Sequence, residues 1–263
     1  MATVTQSVAR RPRDYVRVAG PDAEDFLQRM LSNDVSQAAC DALLLTPKGR
    51  IIAPLRVLRR APDDFLLLTE PGLGETVRVS LLRARFAAKC ELEREDHSSV
   101  LLWSDDFAAA EERLDADVAP TVSDEELERA RIEAGVPAWG KELDDAILPA
   151  EAGLDRTHIS FTKGCYPGQE PVARLHYRGH PNRLLRIVDV ESAQAGDELR
   201  HGEKVVGRIT SAVPCVALGY VRREVPDEAE LTVGTQLGFA RLRKQTLDAE
   251  PLPRKVARRA ERG

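Results

Sequence analysis

The sequence predicts an α+β protein, in which a body of antiparallel sheets with helices is followed by a small C-terminal β-barrel. In the first half, strand-like and helix-like runs follow a βαββαβ-like order with mostly short connections, which favours helices layered on an antiparallel sheet. After Arg183, short apolar runs alternate with glycine, proline and aspartate turns, as in small barrels. We therefore predict a body over residues 1–182, a barrel over residues 183–248 and a flexible basic tail over residues 249–263.

The elements of the body follow from the spacing of their apolar residues. Gly20, Pro21 and Asp22 are typical of a helix start, and the apolar positions that follow recur at helical spacing. Strands are predicted where short runs are apolar or alternate and are bounded by turn residues. The predicted strands are Tyr15–Ala19, Leu43–Thr46, Ile51–Leu58, Phe65–Thr69 and Val100–Trp103, with helices after Asp22 and around Val77–Ala88.

The second half begins with a helix signal and ends in strand signals. Ser123 followed by Glu126 has the form of a capping box, which predicts a helix to about Arg131. Residues 136–154 are rich in proline, glycine and aspartate and are interpreted as a long ordered loop. The predicted barrel strands are Leu184–Val190, Val205–Thr210, Val216–Val221 and Leu231–Phe239.

Composition narrows the class of protein. The chain has 263 residues, of which 43% are hydrophobic and 31% are charged, and this composition predicts a globular protein. The net charge of −5 predicts no stable nucleic-acid complex but leaves room for a local basic pocket that binds an acidic ligand. Its four cysteines are far apart and form no CxxC pair, which argues against a disulfide framework and a zinc ribbon. The beginning of the chain has no apolar signal region, and the apolar runs are too short to span a bilayer. We therefore expect a cytoplasmic protein without membrane association. The sequence does not reveal the oligomeric state, and a monomer is the default expectation.

The most informative segment surrounds Cys165. Gly164 and Gly168 flank the thiol, Pro167 stiffens the turn, and Lys163 places a cation nearby. A neighbouring cation favours the thiolate form of cysteine, which is the reactive form. An isolated cysteine is more often a small buried structural residue. Because glycine, lysine and glutamine residues surround Cys165, we interpret the segment as a rigid loop that presents a functional thiol.

This segment also carries a resemblance to a known family. Residues 163–170 read KGCYPGQE, which resembles the K-G-C-Y-x-G-Q-E signature of the YgfZ-like branch of the aminomethyltransferase superfamily. The resemblance extends over about residues 13–243. It includes RIEAGVP at residues 131–137, PAEAGL at residues 149–154, the first predicted helix and its end at residues 20–34, and a glycine-containing hairpin at residues 207–211.

The resemblance implies a central channel that binds tetrahydrofolate or a derivative. In that case Glu133 takes the pterin ring, because a carboxylate can accept two hydrogen bonds from the aminopyrimidine edge. Arg174 and Arg183 are assigned to the glutamate tail of the folate, since arginine pairs carboxylates bidentately. The remaining folate-binding residues implied by the family motifs are Arg131, Tyr166, Gly168, Gln169 and Glu170, and the functional thiol loop is implied to use Cys165 and Lys163.

One departure from the superfamily pattern concerns catalysis. The aminomethyltransferase has a catalytic aspartate after a G-x-I strand, whereas residues 49–55 read GRIIAPL here. Ala53 and Pro54 stand where the aspartates are expected, and neither can accept or relay a proton. Glycine-cleavage activity is therefore doubtful, and whether this chain is an enzyme stays open.

The leading hypothesis is a folate-binding accessory protein that supports the assembly or repair of iron–sulfur proteins, with client or assembly proteins as partners. Cys165 alone cannot hold a stable cluster, so partner ligands are needed. The alternative is a folate-dependent one-carbon transferase that acts on a small amine, a protein or tRNA. Two weaker hypotheses are a cysteine-dependent enzyme that uses Cys165 with His158, His176 or His180, and a metal site from Cys165, His176 and His180. Gly179 and Pro181 make a helical pair of histidine ligands unfavourable, and no metal is assigned.

Overall fold

The computed structural model describes residues 6–234 and 238–243. Helices α1 to α4 span Ala23–Met30, Gly74–Ala84, Asp124–Glu133 and Gln169–Arg178. Strands β1 to β7 span Ser7–Arg10, Asp14–Ala19, Ala39–Leu45, Ile51–Ala61, Asp64–Thr69, Glu91–Glu95 and Ser99–Trp103. Strands β8 to β14 span Glu111–Leu114, Arg183–Val190, Glu198–His201, Lys204–Val213, Val216–Arg222, Leu231–Val233 and Gly238–Leu242. The predicted tail over residues 249–263 lies outside the described residues.

The largest sheet of the body has five antiparallel strands in the order β3-β4-β5-β2-β6. Helix α1 buries Ala23, Phe26 and Leu27, so the predicted apolar face is confirmed. These side chains join a core with sheet residues such as Val16 and Phe65, all of which are almost completely buried. The strands predicted between residues 15 and 69 are also confirmed, and the β3–β4 hairpin turns at Pro47–Arg50 as expected.

A second sheet combines β1, β7 and β8. Its antiparallel pairs join Val8 to Leu102 and Val100 to Arg113. Strands β1 and β8 are not predicted from the sequence, because each has only four residues, and three of the four in β8 are glutamate or arginine. Between the sheet and α3, Ser123 and Glu126 form the predicted capping box.

The C-terminal part is a closed barrel in the order β10-β11-β12-β9-β14-β13. The predicted fold class, an α+β body followed by a small barrel, is therefore confirmed. The prediction of one strand over Leu231–Phe239 is wrong, because this region holds two separate strands, and Gly234 at the end of the first has a φ of +68°. Leu231 pairs with Ala240 and Val233 pairs with Gly238, so β13 and β14 are antiparallel neighbours.

Helix α4 is the main element that sequence analysis misses. Gly168 and Pro171 resemble turn residues, yet Pro171 lies in the first helical turn, where its missing N–H has no intrahelical partner to lose. Body and barrel share a core in which residues such as Ile51, Ile132 and Leu218 are packed together. Within the described residues, no helix is long and apolar enough to cross a bilayer.

Candidate functional site

A cavity of about 350 Å³, which we call the central cavity, lies where the two sheets of the body meet α3 and the loop after it. Pro54 and Leu55 of β4, Leu101 of β7 and Leu127 of α3 supply apolar parts of the wall. The wall also carries many ionisable side chains, namely Arg11, Arg13, Asp41, Arg56, Glu70, Glu112, Glu128, Arg131 and His158. A concave site with apolar walls and convergent polar groups is typical of small-molecule binding.

Most of the charges on this wall are neutralised by fixed partners. Arg13 donates to Glu70 at 2.8 Å and to both oxygens of Glu112 at 3.0 and 2.9 Å. Burial acts to raise the pKa of Glu112, but hydrogen bonds and the positive charge of Arg13 outweigh it, and the pKa is lowered. Glu112 is therefore ionised, and this side of the cavity is a network of ion pairs rather than a free carboxylate.

Arg131 plays the same role on the opposite wall. Its guanidinium donates to Glu142 at 2.8 Å, to the Val136 carbonyl at 2.7 Å and to Ser211 of β11 at 2.8 Å. The hydrogen bonds from Arg131 to Glu128 also lower the pKa of Glu128 to about 2. Because the Glu142 side chain is 0% exposed, Arg131 is needed to compensate a fully buried carboxylate. Arg131 therefore joins α3 to the following loop and to the barrel.

Two side chains on the wall, Arg56 and His158, can still form hydrogen bonds with a ligand. Arg56 pairs with Asp41 at 3.1 Å, but its Nε is buried and has no hydrogen-bond partner among the described residues. A buried donor without a partner is costly, so an acceptor from a ligand is favoured there. Burial lowers the pKa of His158, which keeps its imidazole neutral near pH 7. Neutral imidazole has one donor and one acceptor nitrogen.

The loop around Cys165 is connected to this cavity through the chain segment that follows α1. Lys163 Nζ donates to the carbonyls of Leu31 and Asn33 at 2.8 and 2.6 Å, and burial lowers its pKa to about 8. Asn33 in turn donates to the Asp41 carbonyl at 2.7 Å. Asp41 lines the cavity, so two hydrogen-bonded steps separate Lys163 from the cavity wall.

Gly168 fixes the other end of the loop. Its φ is +84°, and an added Cβ would lie 2.5 Å from the Thr46 carbonyl and 3.1 Å from the Gly49 Cα. Only glycine fits this contact with the β3–β4 turn. Between the two anchors, Tyr166 is buried while Cys165 is exposed. The loop therefore holds its thiol at the surface from two fixed points.

Comparisons with known proteins agree with this architecture. The glycine cleavage system aminomethyltransferase T from Bartonella henselae superposes with a TM-score of 0.74 over 91% of this chain and 85% of its own, at 17% identity. The tRNA-modifying protein YgfZ of Edwardsiella ictaluri is 30% identical over 65% of this chain and 66% of its own length. YgfZ of Cronobacter sakazakii is 27% identical over 90% of this chain and 89% of its own. The chain is a YgfZ-like member of the aminomethyltransferase superfamily. No family model matches the sequence.

Within this YgfZ-like fold, the residues of the KGCYPGQE segment have distinct positions. Lys163 and Gly168 anchor the loop, and Gln169 and Glu170 begin α4. Burial raises the pKa of Tyr166 to about 12, and its ring lies 5.7 Å from Lys163 Nζ. None of these residues lines the central cavity as the structure defines it. Their predicted contacts with a folate therefore stay predictions.

The residues predicted to hold the two ends of the folate are also placed apart from this cavity. Glu133 is 46% exposed and lies 3.4 Å from Arg129, whereas Glu128 and Arg131 of the same helix line the cavity. Arg183 pairs with Glu151 at 3.0 Å and stacks over Tyr220 at 4.9 Å. These placements do not support a pterin contact of Glu133 or a tail contact of Arg183 in this cavity, and both roles stay predictions.

Arg174 lies in a second cavity along α4, together with His176. Among the described residues, Cys165 forms no hydrogen bond with a histidine, and no three histidine, cysteine or acidic residues are grouped to hold a metal. The cysteine–histidine hypothesis and the metal hypothesis therefore gain no geometric support.

Sequence reasoning missed most of the cavity wall. Arg56 interrupts the apolar run Ile51–Leu58 of β4, and Arg11 and Arg13 lie in the short connection between β1 and β2. A charge inside an otherwise buried strand is the signal that could have pointed to them. The carboxylates Glu70 and Glu112 carry no such signal, because they come from separate parts of the chain and meet Arg13 only in the fold.

Proposed function

We propose that this protein binds a reduced folate in the central cavity and supports the assembly or repair of iron–sulfur proteins through Cys165. The observation that carries the proposal is the hydrogen-bonded connection from Lys163 through Asn33 to the cavity wall. It joins a potential ligand cavity and an exposed thiol within one rigid part of a YgfZ-like fold.

The residues of the cavity fit a folate. A cavity of about 350 Å³ lies within the range of roughly 300–1,000 Å³ for small-molecule sites. Leu101 and Leu127 offer apolar surface for a flat ring, and Arg56 Nε offers a buried donor without a partner. His158 can hydrogen-bond a polar ring edge without bringing charge into the cavity. A bound tetrahydrofolate would supply a carrier for a one-carbon unit.

The wall lacks an acid–base group at the position where the superfamily pattern has its aspartates. Ala53 is completely buried in the core of the large sheet, and Pro54 lines the cavity while its carbonyl accepts from Thr69 at 2.9 Å. A side chain that can take a proton is therefore missing at this position. This favours an accessory role over aminomethyl transfer.

Cys165 supplies the chemistry outside the cavity. Thiolates are the preferred ligands of iron–sulfur clusters, and an exposed thiol on a rigid loop is accessible to another protein. One thiolate does not hold a cluster, so a client or assembly protein provides the other ligands. The loop thus acts in transient transfer or repair rather than in storage.

A second candidate function is one-carbon transfer to tRNA. It is favoured by the relatives of this chain that are named tRNA-modifying proteins. In this chain, neutral His158 is the group on the cavity wall that can accept a proton near pH 7. Transfer of the labelled methylene group of methylenetetrahydrofolate to tRNA, with release of tetrahydrofolate, would establish this function in place of the accessory role if it were lost in His158→Gln.

Titration calorimetry with tetrahydrofolate tests the folate site. We expect wild type to bind and Arg56→Gln to bind about tenfold more weakly or worse, because a hydrogen bond to a charged donor contributes about 1.5–3 kcal/mol. Glu133→Gln is the matched comparison, since its carboxylate lies outside the cavity. If Glu133→Gln weakens binding and Arg56→Gln does not, the pterin binds where the family resemblance implies and the central cavity is not its site.

The thiol is tested in cells whose own copy is deleted. We expect Cys165→Ser to lower the activity of iron–sulfur enzymes, while Cys215→Ser, which changes the other exposed thiol, leaves it at the wild-type level. Equal activity for the two variants at equal protein abundance would contradict the role of Cys165.

A further inference from the structure

A second cavity, of about 540 Å³, runs along α4 and takes no part in the proposed folate function. We call it the α4 groove. Four cationic side chains line it, and Asp155 is the single carboxylate among its lining residues. The cations are Lys48, Arg50, Arg174 and Arg178. The groove is therefore locally basic in a chain whose net charge is −5.

The cations of the groove have almost no protein partners. Within the described part of the chain, the side chains of Lys48, Arg174 and Arg178 form no ion pair or hydrogen bond, and Arg50 donates only to the Ala146 carbonyl. Asp155 lies 3.7 Å from His176 instead. Positive charge without a fixed counter-charge attracts anionic ligands from solution.

Helix geometry groups two of these cations on one face. Arg174 and Arg178 are four residues apart, which places their Cβ atoms about 5–6 Å from each other. Tyr177 is three residues after Arg174, so the two side chains are neighbours on the helix surface, with Tyr177 just outside the groove. Guanidinium groups bind phosphate oxygens bidentately, so this face offers two neighbouring phosphate contacts.

An aromatic cluster adjoins the groove through His176, which lines it, while Phe161 and Tyr177 lie beside the groove and outside its lining. Phe161 and His176 are stacked with ring centroids 3.9 Å apart, and Tyr177 packs edge-on against His176 at 4.9 Å. The Tyr177 residue is 66% exposed, although its ring is held from one side by this cluster. Exposed aromatic rings between basic side chains are the usual platform on which unpaired nucleobases stack.

We propose that the α4 groove binds a single-stranded segment of RNA, with its phosphates on Arg174 and Arg178 and an unpaired base on Tyr177. An acidic polypeptide would engage the cations but has no use for the exposed ring, so the aromatic cluster favours RNA. The inference goes beyond the folate function and does not depend on it. It runs against the expectation, drawn from the net charge, that the protein forms no stable nucleic-acid complex, and the experiment below decides between the two.

The test measures fluorescence anisotropy of a short labelled single-stranded RNA at several salt concentrations. We expect Arg174→Gln/Arg178→Gln to bind about tenfold more weakly and to lower the slope of log K against log salt by about 1.4, since each lost contact removes about 0.7. Arg83→Gln/Lys89→Gln removes the same charge from exposed positions at α2 and the loop after it, and should bind as wild type does. Tyr177→Ala should weaken binding about fivefold or more.

Three results would overturn the proposal. These are absence of RNA binding by wild type, equal losses in the two double variants, and a Tyr177→Ala variant that binds RNA normally while poly-glutamate displaces the RNA efficiently. The last result would assign the groove to an acidic polypeptide or a folate glutamate tail. Thermal melting of each variant verifies folding, and because tetrahydrofolate is absent from the assay, failure of the folate proposal does not affect the outcome.

Discussion

The central cavity and the α4 groove are both rich in arginine, yet they differ in how those arginines are compensated. In the cavity, Arg13 and Arg131 are enclosed by carboxylates and carbonyls at 2.6–3.0 Å. In the groove, Arg174 and Arg178 have no carboxylate partner within the described residues. The number of positive charges therefore does not define what a site binds, whereas their pairing does.

The pairing has different physical consequences at the two sites. Paired charges in a partly buried wall cancel each other at a distance, so they hold the shape of the cavity and present hydrogen-bonding edges. Unpaired charges at an open surface create a field that reaches about 10 Å at 0.1 M salt. A small ligand that is oriented by hydrogen bonds suits the first site, and a polyanion suits the second.

The largest effect is expected when Arg131, the cation that pairs with buried Glu142 in the cavity wall, is replaced. We expect Arg131→Met to lower the free energy of unfolding by about 3–5 kcal/mol, because it leaves Glu142 buried without its partner. Urea denaturation measures the change. Arg129→Met on the same helix is the control, and should cost at most about 1 kcal/mol, because its pair with Glu133 is exposed. Equal losses would show that α3 depends on both arginines alike.

A smaller effect is expected at the contact that holds α4 and its groove in place. Gly168→Ala should lower the free energy of unfolding by about 2–3 kcal/mol, because its φ is +84° and the new methyl group meets the Thr46 carbonyl. Gly164→Ala in the same loop is the matched control, since a methyl group there meets no atom within 4 Å. Chemical denaturation compares the two, and a similar stability for both variants would contradict the anchoring role of Gly168.

The smallest effects concern two histidines with opposite pKa shifts. Burial lowers the pKa of His158 on the cavity wall. Neutral His158 therefore costs the folded state nothing above the unfolded pKa of about 6.5, and the folded state loses stability as pH falls below that value. Hydrogen bonds to Glu95 and Asp115 raise the pKa of His97. The stabilisation that protonated His97 gives the folded state is therefore fully present below the unfolded pKa of about 6.5, and it is lost as pH rises through the higher pKa of the folded state.

Stability measured from pH 5 to pH 8.5 separates the two histidines. Relative to wild type, His158→Gln should gain stability toward acidic pH, and His97→Gln should lose most stability there. The same pH dependence in both variants would contradict the assigned shifts.

The sequence alone predicts the helices and strands whose signal comes from neighbouring residues. The apolar spacing of α1, the capping box of α3 and the apolar runs of three barrel strands each depend on neighbouring residues. Helices α1 and α3 and strands β9, β11 and β12 form as predicted, whereas the predicted strand Leu231–Phe239 does not. The KGCYPGQE segment also indicated the family correctly, because a long motif with two glycines and a cysteine is specific.

The rest depends on contacts between distant residues. Arg13 meets Glu112 across 99 positions, and Arg131 meets Ser211 across 80. No local pattern reports such pairs, and the sequence therefore predicted the loop around Cys165 but not the wall of the cavity. Similarly, α4 was missed because Pro171 is acceptable only once the position of the helix start is known.

The two anchors of the cysteine loop restrict how its thiol can act. Lys163 is tied to the end of α1, and Gly168 touches the backbone of the β3–β4 turn. Cys165 is thus held at one place on the surface, and the loop does not move the thiol from one site to another. If Cys165 acts as proposed, its partner must come to this surface, because the anchored loop cannot carry the thiol to a distant site.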